Sequence, residues 1–333
     1  MIAPQAGPPR VLVTGASGYI GSLLVAELSG ALAAGRIGAL IATDIRPAGS
    51  SNSQLPASSI PLFITHDVRD NGLAVLLRRH SIDCVIHLAS IVTPSKGSTR
   101  EFEYSVDVGG TRRVLDACVQ AGVRRIIVTS SGAAYGYHAD SPEWITENAP
   151  LRGNESFAYS WHKRLVEEML AAERKSNPAL EQVIFRVGTI LGESVNNQIT
   201  ALFERPRVLV IRKSASPFVF INDRDVVNCL VKAVDSEATG VFNVAGDGAL
   251  PLREIAALLG KPTLELPASL VRAALAVAHP LGLTQFGAAQ VDFLRYRPVL
   301  DNRRLKEVFG YTPAMTTRQA FLHWRDSPRL RSM

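Results

Sequence analysis

Residues 11–21 read VLVTGASGYIG, and the fold turns on them. Val11–Thr14 is a short β-branched run, and a helical pattern, YIGSLLVAEL, opens at Tyr19. Between the two stand Gly15, Gly18 and Gly21, spaced by three. Strand, glycine turn and helix in that order match the first βα turn of a dinucleotide site. Gly15 makes the tight turn, Gly18 lets the backbone approach a pyrophosphate, and Gly21 lets the helix lie close to the strand. The helix N-terminus then faces the phosphates. The spacing is G-x-x-G-x-x-G rather than G-x-G-x-x-G. A glycine triplet also fits a tightly packed turn that binds nothing, but this position favours a cofactor cradle built from Gly15, Ser17, Gly18, Tyr19, Ile20 and Gly21.

Outward from the turn, apolar runs alternate with helical patterns. ALIATD, LFITHD, CVIHLAS, RIIVTSS and EQVIFRVG read as strands. GLAVLLRRH, SVDVGGTRRVLDACVQAG and AYSWHKRLVEEMLAAERK read as helices. Near-continuous apolar strands separated by helices predict a doubly wound α/β fold with a parallel sheet covered on both faces. After Arg186 the rhythm loosens. RVLVIR and GVFNVAG read as further strands around the helix DRDVVNCLVKAVD, and the last ninety or so residues read as mostly helical. This predicts a cofactor domain over residues 1–186, with 218–245 returning to it. A smaller substrate region then covers 187–217 and 246–333. Thr316–Gln319, TTRQ, fits a capping box opening the final helix. The Ser- and Pro-rich stretch RPAGSSNSQLPASS fits a surface loop.

The 333 residues suffice for a full core, and 47% apolar with 20% charged residues is globular composition. The net charge of +6 is dispersed, except for Arg295, Arg297, Arg303, Arg304 and Lys306. That group reads as a solvated face or as an anion site over a substrate pocket. No aromatic-rich basic motif points to nucleic acid. Cys84, Cys118 and Cys229 are odd in number and widely spaced, which predicts no metal site; Cys84 and Cys118, in apolar patterns, read as core thiols, and a reducing, cytoplasmic setting follows. No apolar signal core opens the chain, and the run LPASLVRAALAVAHPLGL is broken by Arg272, His279 and Pro280. A membrane span is therefore not expected.

Asp44 ends the second strand, 23 positions after Gly21. A carboxylate there accepts from adenosine ribose hydroxyls and repels a 2′-phosphate, which favours NAD over NADP. Arg46 leaves NADP open. Asp67 is placed to touch the adenine edge or to cap its own loop. Tyr159 and Lys163 stand at i and i+4, on one helix face. A phenol alone is a poor acid or base at neutral pH, and a nearby ammonium stabilises its phenolate form. Ser131, at the carboxyl end of a strand, can polarise a substrate oxygen.

TGASGYIG, HLAS, GGT, SSGAAYG, YSWHK and FRVGTILG, in this order, resemble the extended short-chain dehydrogenase/reductase family, which includes the NAD-dependent epimerase/dehydratases. The resemblance implies a Rossmann-like domain and a catalytic set of Ser131, Tyr159 and Lys163. It implies cofactor contacts from the glycine turn, Asp44, Asp67, Val68, Leu88, Ala89, Ser90, Lys163, Arg186 and Val187. It also implies hydride transfer at a carbinol carbon while the tyrosine takes the hydroxyl proton, or the reverse. Homodimers in this family pair through two long helices, here around 109–121 and 158–173.

Three departures narrow the reaction. Gly132 and Ala133 stand where family dehydratases carry an Asp-Glu pair, which argues against elimination chemistry. Asp107 replaces a usual Asn. Phe218 stands about where epimerases carry an arginine for the nucleotide, leaving Arg297 or Arg303 as other sources of charge. His138, Tyr137, Thr93 and Trp161 are further pocket candidates, while His87 reads as packing and His162, one residue before Lys163, points away from the Tyr159–Lys163 face. The expected function is an NAD-dependent oxidoreductase of a secondary alcohol or ketone, with a sterol-like, polyketide-like or hydroxy-acid substrate. The alternative is a sugar or nucleotide-sugar epimerase.

Overall fold

The computed structural model describes residues 7–47, 61–95, 97–195, 197–278, 280–282, 284, 287–288 and 290–328. The stretch read as a Ser- and Pro-rich loop lies outside the described residues from position 48 onward.

The chain runs β1 (Arg10–Thr14), α1 (Tyr19–Ala33), β2 (Ala39–Asp44), β3 (Leu62–Thr65), α2 (Leu73–Arg79), β4 (Cys84–His87) and α3 (Arg100–Tyr104). A π-helical turn, Ser105–Gly110, joins α3 to α4 (Thr111–Ala121). Then follow β5 (Arg125–Ser131), α5 (Ala158–Ser176), β6 (Glu181–Val187), β7 (Thr189–Leu191), α6 (Gln198–Glu204), β8 (Val208–Ile211), β9 (Phe220–Asn222), α7 (Asp223–Asp235) and β10 (Gly240–Val244). The remainder holds α8 (Leu252–Leu258), β11 (Thr263–Leu266), α9 (Ala268–Ala278), α10 (Gln290–Arg295), α11 (Arg303–Glu307) and α12 (Thr317–Arg325). Thr316 and Gln319 form the capping box expected for α12.

Seven strands form one sheet in the order β10-β6-β5-β4-β1-β2-β3. Leu12 is registered against Ile41 of β2 on one side and Val85 of β4 on the other, both parallel. The strand order therefore reverses at β1, and ligands in such sheets bind outside the carboxyl ends of the strands at that point. Those ends lead into the Gly15 turn and into Leu88–Ser90. Leu12, Ile41, Val85, Val114, Leu115, Cys118, Val166 and Leu170 share one buried cluster, so the apolar stripes of α4 and α5 face this core.

Packing divides the chain into two compact units. One comprises residues 1–130, 165–185 and 226–241; the other comprises 131–164, 186–225 and 242–333. The rhythm of the sequence assigns 131–164 to the first region, whereas packing groups it with the second. There Tyr135, Ile145, Val219, Ala245 and Leu300 make a core of their own.

Candidate active site

The first unit holds the glycine turn. Gly15 has φ +71°, and a Cβ there would lie 2.7 Å from the Ala89 backbone nitrogen. Only glycine permits both the left-handed backbone and this approach of the turn to Leu88–Ala89. A Cβ on Gly21 would lie 2.1 Å from the Gly15 carbonyl oxygen, so α1 packs directly on its own turn. Gly18 is the N-cap of α1 in extended conformation, with no side chain capping the helix. Its first-turn N–H groups remain available to an anion. Beside them the Ser17 hydroxyl is buried without a hydrogen-bond partner. An orphaned hydroxyl at an uncapped helix N-terminus fits a phosphate group.

Asp44 is buried at the end of β2. One of its oxygens accepts from the Ser17 N–H at 3.0 Å, and the other from the Arg46 N–H at 3.0 Å and its Nε at 3.3 Å. Asp67 is held by Arg69, whose Nη2 lies 2.6 Å from Oδ2; this hydrogen-bonded pairing holds the Asp67 carboxyl below its ordinary range. Val68 fills the space of a missing side chain: a Cβ on Gly110 would lie 2.7 Å from its Cγ2. Ser90 donates to Asp107 Oδ1 at 2.9 Å, and the Ile91 N–H donates to the same oxygen at 2.8 Å. The departure from Asn at this position thus keeps an acceptor for the β4 loop.

His87 is buried between Thr14 and Thr111, its Nδ1 2.7 Å from Thr14 Oγ1 and its Nε2 3.0 Å from Thr111 Oγ1. Thr111 donates its hydroxyl proton to the Asp107 carbonyl at 2.6 Å. Its oxygen can then only accept from His87, which places the proton of neutral His87 on Nε2. The expected packing role of His87 is a hydrogen-bonded one.

The second unit brings the three catalytic candidates onto neighbouring segments. Ser131 Oγ accepts from the Ala133 N–H at 3.1 Å, which leaves its own proton to donate. The turn that follows is tied to the start of α5. Ser160, fully buried, donates to the Ala133 carbonyl at 2.7 Å and accepts from the Asn154 N–H at 3.0 Å. Asn154 in turn accepts from the Tyr137 N–H at 2.7 Å. A Cβ on Gly153 would lie 2.3 Å from the Ser160 carbonyl oxygen, so this loop lies directly against the helix. The residue after Tyr159 is therefore pinned to the turn after Ser131. Lys163 is buried, and its Nζ lies 5.6 Å from the centre of the partly exposed Tyr159 ring.

Other sequence candidates take different places. The Arg186 guanidinium lies over the Tyr135 ring at 4.7 Å, and Nη1 donates to the Tyr135 hydroxyl at 2.7 Å and the Glu147 carbonyl at 3.0 Å. Val187 is buried beside it in β6. His138 Nε2 lies 2.7 Å from the Arg152 carbonyl, Trp161 stacks under Arg164, and Thr93 is exposed. Tyr137 belongs to an aromatic cluster, 4.9 Å from Phe293 and 5.8 Å from Phe157 between ring centres. Phe157 and Phe293 were not expected: neither sits in a motif, and they are far apart in sequence. Among the described residues no cluster of three or more His, Cys, Asp or Glu is placed to hold a metal ion.

Residues 11–245 match the description "NAD dependent epimerase/dehydratase family". The chain belongs to that family. A curated relative, an uncharacterized protein of Mycobacterium tuberculosis (strain ATCC 25618 / H37Rv), is 26% identical over 94% of this chain and 82% of its own length. Among solved structures, MoeE5 in complex with UDP-glucuronic acid and NAD is 25% identical, with a TM-score of 0.69, covering 97% of this chain and 100% of that one. UDP-glucose 4-epimerase from Thermotoga maritima, with UDP-glucose, has a TM-score of 0.72 over 97% and 100% of the two chains, and dTDP-glucose 4,6-dehydratase from Bacillus anthracis str. Ames, with NAD, has 0.70 over 96% of each. At 17% and 16% identity these two show the shared fold alone.

Proposed function

We propose that the protein is an NAD-dependent oxidoreductase acting at a secondary alcohol or ketone carbon, with Tyr159 as acid/base. The observation that carries this is the stitching of the Ser131 turn to the Tyr159–Lys163 helix through the buried Ser160 hydroxyl. When bound, NAD supplies the hydride acceptor. Gly15, Gly18 and Gly21, with the Ser17 hydroxyl, fit its pyrophosphate, and Asp44 favours an unphosphorylated ribose. Ser131 donates its hydroxyl proton to the substrate oxygen. The Lys163 ammonium stabilises the phenolate form of Tyr159, which takes the carbinol proton and becomes the phenol. In the reverse direction Tyr159 returns the proton.

The likeness to a protein solved with a nucleotide sugar and NAD, at 25% identity, favours a second reading: an epimerase, which uses the same three residues without net redox change. One experiment separates the two. Wild-type protein and Tyr159→Phe are purified, and NAD content and turnover of alcohols and ketones are measured. The proposal expects reversible NAD binding in both proteins and turnover reduced about 10²- to 10⁴-fold in the variant. Stoichiometric NAD(H) released only by denaturation favours the epimerase. Undiminished turnover in Tyr159→Phe removes the tyrosine from the chemistry.

A reducing, cytoplasmic setting belongs to the same proposal. It is supported by the burial of Cys84, Cys118 and Cys229 as free thiols. No helix among the described residues is long and apolar enough to cross a membrane. A homodimer is proposed as well. With the apolar stripes of α4 and α5 in the core, its surface falls to outward residues such as Arg112, Asp116 and Glu173, which form ion pairs with one another. Sedimentation at low and high salt checks it.

A further inference from the structure

The late basic group divides on inspection of its partners. Arg303 pairs with Asp301, Lys306 with Asp247, and Arg295 with Asp292. Arg297 has no carboxylate among the described residues. Its Nη2 donates to Thr189 Oγ1 at 3.2 Å, while its Nη1 is buried with no hydrogen-bond partner. The guanidinium lies over the Phe218 ring at 4.0 Å and over the Phe293 ring at 4.5 Å. Burial lowers its affinity for the proton to a pKa of about 10, and the neighbouring Tyr137 hydroxyl acts the other way. A half-buried cation whose inward donor is unused is costly unless an anion completes it.

The surroundings say where that anion belongs. Phe293 lies 5.4 Å from Phe157, and Phe157 lies 6.3 Å from Tyr159 between ring centres. Arg297 therefore joins the same aromatic cluster as the proposed acid/base. Phe218 is the platform under this guanidinium.

We propose that Arg297 receives the carboxylate of the substrate, and that the substrate is a hydroxy acid, or its oxo acid, with an apolar body. This rests on the oxidoreductase reading above and names its substrate class. A single guanidinium matches a monoanion, whereas a diphosphate carries two charges and the neighbouring cations Arg295, Arg303 and Lys306 already have carboxylates. The planar fork of arginine suits a carboxylate, and the Tyr137, Phe157 and Phe293 rings suit an apolar body. Thr189 and the two stacked rings hold the fork in place before the ligand arrives.

The test is binding, so that it does not depend on turnover. Acetate, benzoate, mandelate, mandelamide and UDP are titrated calorimetrically into NAD-saturated wild type, Arg297→Met and Arg297→Lys. Methionine keeps an apolar stem over Phe218. Benzoate and mandelate are expected to bind wild type, with mandelamide at least about tenfold weaker and Arg297→Met roughly a hundredfold weaker for the acids, because a buried charge partner is lost. Arg297→Lys is expected to recover part of that loss, and NAD affinity is expected to stay unchanged in both variants. Equal binding of mandelate and mandelamide by wild type overturns the inference even if the variants fail to fold. So does failure of all three carboxylates to bind, or Arg297-dependent binding of UDP in their place. Arg297-dependent binding of carboxylates without NAD reduction by any hydroxy acid supports the anion site while removing the oxidoreductase reading. NAD reduction by neutral alcohols alone does the reverse.

Discussion

Substitution of the last two glycines of the turn separates fold from ligand. A Cβ at Gly21 would sit 2.1 Å from the Gly15 carbonyl and 2.9 Å from Ala16 backbone atoms. All of these are main chain, so relief requires α1 to move by about an ångström off its turn. Overpacking of this kind costs about 1–3 kcal/mol, and the rigid partner places Gly21→Ala at the upper end or beyond. Gly18 differs. Its φ of −71° suits any L-residue, and its nearest neighbour, the Gly15 carbonyl, would be 3.1 Å from a Cβ. That contact yields by a few tenths of an ångström, and alanine recovers about 0.4–1 kcal/mol of unfolded-chain entropy. Gly18→Ala is expected to fold with stability within about 1 kcal/mol of wild type. Its methyl group instead occupies the space a pyrophosphate needs. Loss of one or two charged hydrogen bonds, each about 1.5–3 kcal/mol, lowers NAD affinity at least about tenfold. Urea unfolding gives the first quantity and calorimetric titration of NAD the second. Gly18→Ala that binds NAD as tightly as wild type refutes the pyrophosphate cradle. Gly21→Ala of unchanged stability refutes the close helix packing.

Two further perturbations probe carboxylates. The Asp67 and Asp301 carboxyls are both held below their ordinary range, mainly by side-chain hydrogen bonds from Arg69 and Arg303. Their contribution is fully present above the unfolded value of about 4 and is lost as pH falls through the lower native values. The partly exposed Asp67–Arg69 pair is worth under about 1 kcal/mol; the urea midpoint should fall below about pH 4, and less steeply in Arg69→Met, whereas an unchanged acid limb in that variant discards the pairing. Asp107→Asn keeps an oxygen for Ser90 and Ile91 and should change stability by under about 1 kcal/mol, while Asp107→Ala leaves two donors unmet and should cost about 2–3 kcal/mol. Equal losses in the two would show that the acceptor at position 107 does not support the β4 loop.

What the sequence made legible was whatever local pattern decides. Val11–Thr14, Cys84–His87 and Arg125–Ser131 are apolar runs too short and too β-branched to be helices, and they are buried strands. The turn glycines are legible because each answers to neighbours within a few residues or to the next strand. SVDVGGTRRVLDACVQAG reads as one helix, yet its first six residues form a π turn. No propensity marks that turn; it accompanies Gly110 lying against Val68, a contact between distant segments. Arg297 is legible only in part, for a related reason. In a run of arginines it reads either as solvated or as an anion site, and only the rings of Phe218 and Phe293, brought together by the fold, set it apart from its neighbours.

The same distinction bears on the reaction. The sequence argues against elimination because Gly132 and Ala133 carry no acid or base where dehydratases carry two, which alone leaves open whether a substitution could install them. Packing closes that route. A Cβ on Gly132 would lie 3.1 Å and 3.2 Å from the two Leu300 methyl carbons, and Leu300 is buried with Tyr135, Ile145 and Val219. A carboxylate on that Cβ must displace Leu300 or enter an apolar cluster unpaired, which costs several kcal/mol. Gly132→Asp is therefore expected to destabilise the second unit rather than confer dehydration. The Ala133 N–H is bound to Ser131 Oγ, and the Ala133 carbonyl to Ser160, so movement of this turn also shifts Ser131 against Tyr159. One short turn thus carries both the bonds that tie Ser131 to the start of α5 and the Gly132 position that Leu300 keeps free of a side chain.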